Sequence, residues 1–171
     1  MAATIQGNYS RPNPKAIQLD DHGRVTGFAM NDRCAAGCGR YLGYVAEELG
    51  VSLSALGELA CAACHHVPVT STCTVFAAAE LRGLLHAGEH TEAVFMGAHR
   101  AILLRAFSLL ARCGGVRDEF AMTGGVALNP AIQRLLVELM PRHYPDILIN
   151  LHPDSIYVGA YGGALMALEI L

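Results

Sequence analysis

Tryptophan is absent from this chain, and only 6% of its 171 residues are aromatic. A surface that stacks bases needs such rings in number, so single-stranded nucleic acid is a poor fit. Charge is scarce too, at 16% of residues with a net of -3 and no basic block, which removes the electrostatic footprint of a nucleic-acid binder. Met1 to Ser10 has neither a basic flank nor an apolar run, so no secretory leader is expected there and the reading is cytoplasmic. The longest uncharged stretch, Leu59 to Ala79, has the length of a membrane span but carries His65, His66, Pro68, Thr70, Ser71, Thr72 and Thr74. That is too polar for lipid, so it reads as a buried loop entering a helix, with no membrane partner. Repeats and low-complexity linkers are missing as well.

What remains is 53% hydrophobic with 18 glycines, enough for one packed domain with tight turns. Lys15 to Leu19 and Arg24 to Met30 read as strands joined by the turn Asp20-Asp21-His22-Gly23. Asn31 and Asp32 offer a cap for a helix from about Arg33 to Leu49, and a short helix is expected over Ser52 to Ala60. Cys73 to Ala87 is an Ala-rich helix, and Thr91 caps a longer one reaching Arg112. Then come a strand at Glu119 to Thr123, a helix opened by Asn129-Pro130, a strand over Asp146 to Leu151, and a small-residue helix from Tyr157 with close packing through Gly159, Gly162 and Gly163. This order gives an α/β sheet domain with a helical insertion.

Six cysteines are many for a chain expected to stay in a reducing compartment, so metal or redox chemistry rises over disulfides. Cys113 closes an apolar helix before Gly114 and Gly115 and reads as a small buried residue. Cys34 stands at a helix start beside Gly37, and Cys73 where a loop turns into a helix; helix N-termini favour thiolates and anionic ligands. Two such thiolates are half the set for a 4Fe-4S cluster, which implies a cluster shared across a subunit interface. Two other readings use the same residues. Cys61-Ala62-Ala63-Cys64-His65 has the form of a haem attachment site, and Cys34, Cys38, Cys61 and Cys64 could make a four-thiolate zinc site. The eight histidines form no recognisable triad with a serine, and His65, His66 and His99 read as solvated or satisfied in the core. Separately, Phe120 to Asn129 reads as strand, Gly124-Gly125 turn and capped helix, where a backbone and a helix N-terminus could meet a ligand.

Lys15 through Leu42, Ser71 through Glu80 and the Thr123-Gly124-Gly125-Val126-Ala127-Leu128-Asn129 turn together resemble the ATPase subunits of benzoyl-CoA reductase and the activators of 2-hydroxyacyl-CoA dehydratases. The separation of Cys34 and Cys73 (73 minus 34, or 39) is similar to that family's, though Cys38 stands where threonine is usual. The wording from Pro153 to Ala164 is nearer the reductase subunits, and the helix there would be a hinge between lobes.

The resemblance implies the second lobe of an actin/Hsp70-like ATPase fold, over residues 15–171, after a non-matching segment at 1–14. It implies Cys34 and Cys73 as ligands of a 4Fe-4S cluster shared between two protomers, and Gly124, Gly125 and Asn129 as contacts to ATP or ADP with magnesium. It further implies a homodimer or sister ATPase subunit, coupling ATP to low-potential electron transfer toward a CoA-thioester reductase or dehydratase. The family's first lobe and phosphate loops find no counterpart, since Asn8 to Pro14 replaces the second loop. A central strand would then be missing from the sheet, no catalytic acid or base is assigned, and a non-catalytic cluster-binding partner subunit is the alternative.

Overall fold

The computed structural model describes residues 2–7, 14–30, 38–70 and 74–170. Five strands make one mixed sheet in the order β3-β2-β1-β4-β5: β1 (Ala2–Gln6), β2 (Lys15–Leu19), β3 (Val25–Met30), β4 (Glu119–Thr123) and β5 (Leu148–Asn150). β1 runs antiparallel to β2 and parallel to β4, with Ala3 opposite Phe120 and Ile5 opposite Met122. The sheet therefore has its central strand, supplied by residues 2–6, and the expected gap is corrected. Alternation explains the pairing: Ala3 and Ile5, like Phe120 and Met122, are buried, while their neighbours are less so. Phe120 is wholly buried, and burial of a ring this size stabilises the fold by about 1.5 to 3 kcal/mol.

Among the described residues six helices alternate with the strands, four between β3 and β4, one between β4 and β5 and one after β5: α1 (Cys38–Glu48), α2 (Leu53–Cys61), α3 (Thr74–His86), α4 (Thr91–Arg112), α5 (Pro130–His143) and α6 (Val158–Ile170). α4 is long and apolar enough to cross a membrane, yet most of it is buried inside the domain, which makes it the core helix. It lies against β1, β2 and β3 and packs on α2 and α5. Gly97 lets the loop at Val67 cross α4, since a Cβ there would overlap the Val67 carbonyl, and Val67 N–H donates to Ala93 O at 3.1 Å. At the far end Cys113 is buried and its Sγ reaches Ala16 O at 3.5 Å, as a packed thiol should.

Two boundaries differ for local reasons. Thr91 is already helical, with His90 in the cap position and no side-chain cap. β5 begins at Leu148 because Asp146 takes a positive φ of 60° and turns the chain. The expected buried loop within Leu59 to Ala79 is only partly buried: Ala63 and Val67 are buried, but Ala62, Cys64, His65 and His66 are exposed. The expected close packing of α6 is also corrected, because no atom comes within 4 Å of a Cβ built at Gly162 or Gly163, and Tyr161, Met166 and Leu168 are exposed.

Candidate functional site

The carboxyl ends of the parallel neighbours β1 and β4 carry Gly7 and Gly124. Gly7 N–H donates to Thr123 O at 2.9 Å, and Gly7 O accepts from Val126 N–H at 3.2 Å. Gly124 sits at φ 87°, ψ 177°, and any Cβ on it would strike the Gly7 carbonyl. The residues Gly125–Leu128 then form a 3-10 turn, closed by Ala127 N–H to Gly124 O at 3.0 Å. Gly124 N–H donates to Ser155 O at 3.1 Å, which brings the Pro153–Tyr157 3-10 turn onto the same corner. The Ser155 hydroxyl is buried there without a partner among the described residues.

Asn129 ends the turn and opens α5. Its Oδ1 accepts from Ala131 N–H at 3.0 Å and Ile132 N–H at 3.2 Å, with Pro130 at the first helical position. Beside it opens a cleft of about 440 Å³ lined by Leu53, Ser54, Glu58, Gly125, Leu128, Asn129 and Pro130. Two of the three residues expected to meet a nucleotide, Gly125 and Asn129, thus line one cleft, and Gly124 sets the turn beside it. The side chain of Asn129 is committed to the helix cap and to His99, whose Nε2 lies 3.2 Å from Asn129 Nδ2.

Cys34 and Cys73 lie outside the described residues, as does the Asn31-Asp32 cap. The elements that flank them are described. Cys73 immediately precedes α3, and α1 begins at Cys38. α1 and α3 stand together, with Val45, Leu49, Ala78 and Leu81 around one small gap. Glu80 of α3 accepts from Thr70 N–H at 2.7 Å, which ties down the chain just before Ser71. Tyr41 of α1 is buried, and desolvation raises its hydroxyl pKa well above the ordinary value, against the opposing pull of Arg105. Of the remaining thiols, Cys61 is partly buried at the end of α2, its carbonyl accepting from Arg134 Nη1 at 2.8 Å, and Cys64 is exposed. Among the described residues no group of three His, Cys, Asp or Glu side chains could hold a metal ion. Of the two placements the sequence left open, His65 and His66 take the exposed one and His99 is fully buried. Burial lowers the His99 pKa to about 4.

Gly7, Ser155 and the contact of His99 with Asn129 escaped the sequence reading. Gly7 was findable, because it ends an Ala3/Ile5 alternation; the others depend on tertiary neighbours.

A glycine corner at the carboxyl ends of parallel strands, leading into a capped helix, is where open α/β sheets take their ligands, and it marks the candidate ligand site of this α/β domain. The chain belongs to the BadF/BadG/BcrA/BcrD ATPase family, whose signature matches residues 13–167. It is 39% identical over 155 residues to the activator of lactoyl-CoA dehydratase of Anaerotignum propionicum, covering 91% of this chain and 58% of that protein. It is 30% identical over 151 residues to one of the subunits of benzoyl-CoA reductase from Thauera aromatica, covering 88% of this chain and 54% of that one. The solved activator of 2-hydroxyisocaproyl-CoA dehydratase from Clostridium difficile, with bound ADPNP, superposes with a TM-score of 0.81 at 35% identity, over 98% of this chain and 59% of that one. The chain thus spans less than two thirds of these relatives' length. Over the whole match, identity to the dehydratase activator is higher than to the reductase subunit.

Proposed function

We propose that this chain is the cluster-binding, adenosine-binding lobe of an ATPase that activates a CoA-thioester dehydratase or reductase by low-potential electron transfer. The observation that carries this is the glycine corner of β1 and β4 opening on the cleft beside Gly125. Leu53 and Leu128 offer apolar walls for a base, and Ser54 and Glu58 offer polar groups for a sugar. The relative from Clostridium difficile carries ADPNP, which supports a nucleotide as the ligand. The orphaned Ser155 hydroxyl beside Gly124 suits a polar ligand better than an empty corner. Asn129 serves by holding the turn, since its carboxamide is occupied.

Cys34 and Cys73 would each supply a thiolate to a 4Fe-4S cluster held between two protomers, and the cluster supplies one-electron chemistry at low potential. Support comes from their positions in the sequence just before α1 and α3, which line one small gap together. This chain's own part is to hold those segments: Glu80 anchors Thr70, and α1 and α3 pack on the core helix α4. The apolar, exposed face of α6 then serves as the hinge contact with the lobe that the relatives' remaining length would provide. Anaerobic reconstitution with iron and sulfide tests the reading. About two irons per protomer, in a dimer, is the expected result. A monomer without iron but with an intact nucleoside site would favour the reading as a nucleotide-binding partner subunit.

A further inference from the structure

One buried contact in the core has no part in ordinary helix packing. His99 lies in the middle of α4 and is wholly inaccessible. Its Nδ1 is 2.7 Å from Phe95 O, one turn earlier on the same helix. A carbonyl oxygen only accepts, so Nδ1 carries the proton. In a neutral imidazole Nε2 is then an acceptor. The group facing it is Asn129 Nδ2, an amide donor at 3.2 Å. At the other end of the same carboxamide, Oδ1 accepts from two backbone N–H groups of α5. Flipping the amide would set a carbonyl against a lone pair and an NH₂ against two donors. The orientation of Asn129 is therefore fixed from both sides.

A third element meets the same carboxamide. A Cβ at Gly57 of α2 would stand 2.8 Å from Asn129 Oδ1, 2.9 Å from Nδ2 and 2.9 Å from Pro130 Cδ. Only a residue without a side chain lets the backbone of α2 lie against this amide. α2 also brings Leu53, Ser54 and Glu58 to the cleft wall facing Gly125 and Leu128. Asn129 N–H closes the 3-10 turn onto Val126 O at 3.2 Å. The position of this one amide thus sets the width of the cleft on two sides.

We propose that His99 is a positioning residue for nucleoside binding: from the core it fixes the Asn129 carboxamide, which holds the Gly124–Leu128 turn and the α2 wall at the separation a nucleoside needs. The role rests on the nucleoside reading given above, and its chemistry can be checked without that reading. Histidine's two nitrogens are what the place requires, one donor toward Phe95 and one acceptor toward Asn129. Glutamine keeps an acceptor near the Nε2 position, whereas leucine keeps only the volume.

The test uses the whole chain labelled with ¹⁵N, its two-bond imidazole correlations, and a titration with adenosine followed at the amides of Gly125 to Ile132. The wild-type protein should show Nδ1 protonated and Nε2 bare, with the Asn129 side-chain amide displaced by its bond to the ring. His99→Leu should release that amide signal and weaken adenosine about tenfold, the effect of losing one buried hydrogen-bond partner. His99→Gln should restore affinity to within about threefold of wild type, which a merely space-filling role would not do. A protonated Nε2, or a folded His99→Leu protein with unmoved Asn129 amide and unchanged adenosine affinity, overturns the proposal. If His99→Leu does not fold, the wild-type tautomer and the His99→Gln titration decide it alone. A wild-type chain whose turn ignores adenosine refutes the nucleoside reading instead, and the tautomer and amide signals then still judge the His99–Asn129 link.

Discussion

Adding one methyl group at Gly124 should cost more than any other glycine substitution at the candidate site. Its backbone, φ 87° and ψ 177°, lies in a region essentially reserved for glycine, and an L side chain there costs about 1 to 3 kcal/mol. The new Cβ would also strike the carbonyl of Gly7. That carbonyl cannot rotate away like a side chain, because Gly7 is held by hydrogen bonds to Thr123 and Val126 at the end of the central strand. Overpacking against fixed backbone adds about 1 to 3 kcal/mol, so Gly124→Ala should lose about 2 to 6 kcal/mol in all. With a urea slope of about 2 kcal/mol per molar, the unfolding midpoint should fall by roughly 1 to 3 M. Gly162→Ala is the matched control. It sits inside α6 with nothing within 4 Å of the new methyl, and should gain about 0.5 to 1 kcal/mol. A Gly124→Ala midpoint within about 0.3 M of the parent would refute the close approach of β1 and the turn.

Because burial holds His99 near pKa 4 against about 6.5 in the unfolded chain, its contribution is complete above pH 6.5 and is lost as pH falls toward 4. The loss should total about 3 kcal/mol, and urea midpoints of wild type and His99→Gln compared at pH 7 and pH 5 would expose it; parallel slopes for the two proteins would contradict it. Iron content after anaerobic reconstitution should collapse in Cys34→Ser and Cys73→Ser and persist in Cys61→Ser and Cys64→Ser; the reverse pattern would sink the bridging cluster and revive a zinc-like site. Calorimetry of the chain alone should find ATP no tighter than roughly millimolar, since the proposed nucleoside cleft has no phosphate cradle among the described residues. Adding a complementary first lobe should tighten binding and Gly125→Val should abolish it, whereas micromolar affinity without the lobe would disprove the division of contacts.

Segments whose signals are local were legible in the sequence. β2 and β3 announced themselves by alternation around a Gly-containing turn, and α5 by the Asn129-Pro130 pair that caps and starts it. The strand β1 did not, because Ala2 to Gln6 offers one large apolar side chain, Ile5, and reads as a tail. Its central place comes from parallel pairing with β4, more than a hundred residues away, and no local pattern encodes that partner. α6 failed in the other direction. Its small-residue, all-round apolar sequence predicts burial, yet within this chain its apolar residues face solvent. The site divided the same way: Gly124, Gly125 and Asn129 were readable as a turn and cap, while Gly57 and His99 gained their meaning only when three helices met at one amide.

The same packing joins the Gly125–Leu128 turn to the helices that follow the two cysteine segments in the sequence. α1, which follows the segment holding Cys34, touches both the Gly125–Leu128 turn and α2. Its inward residues Tyr41, Leu42, Val45 and Ala46 are buried, so it can move only as a packed unit with its neighbours. α3, which follows Cys73, is bound to that unit through α4 and the small gap it shares with α1. A displacement of the turn would therefore press on the packed helices together rather than on one loose helix.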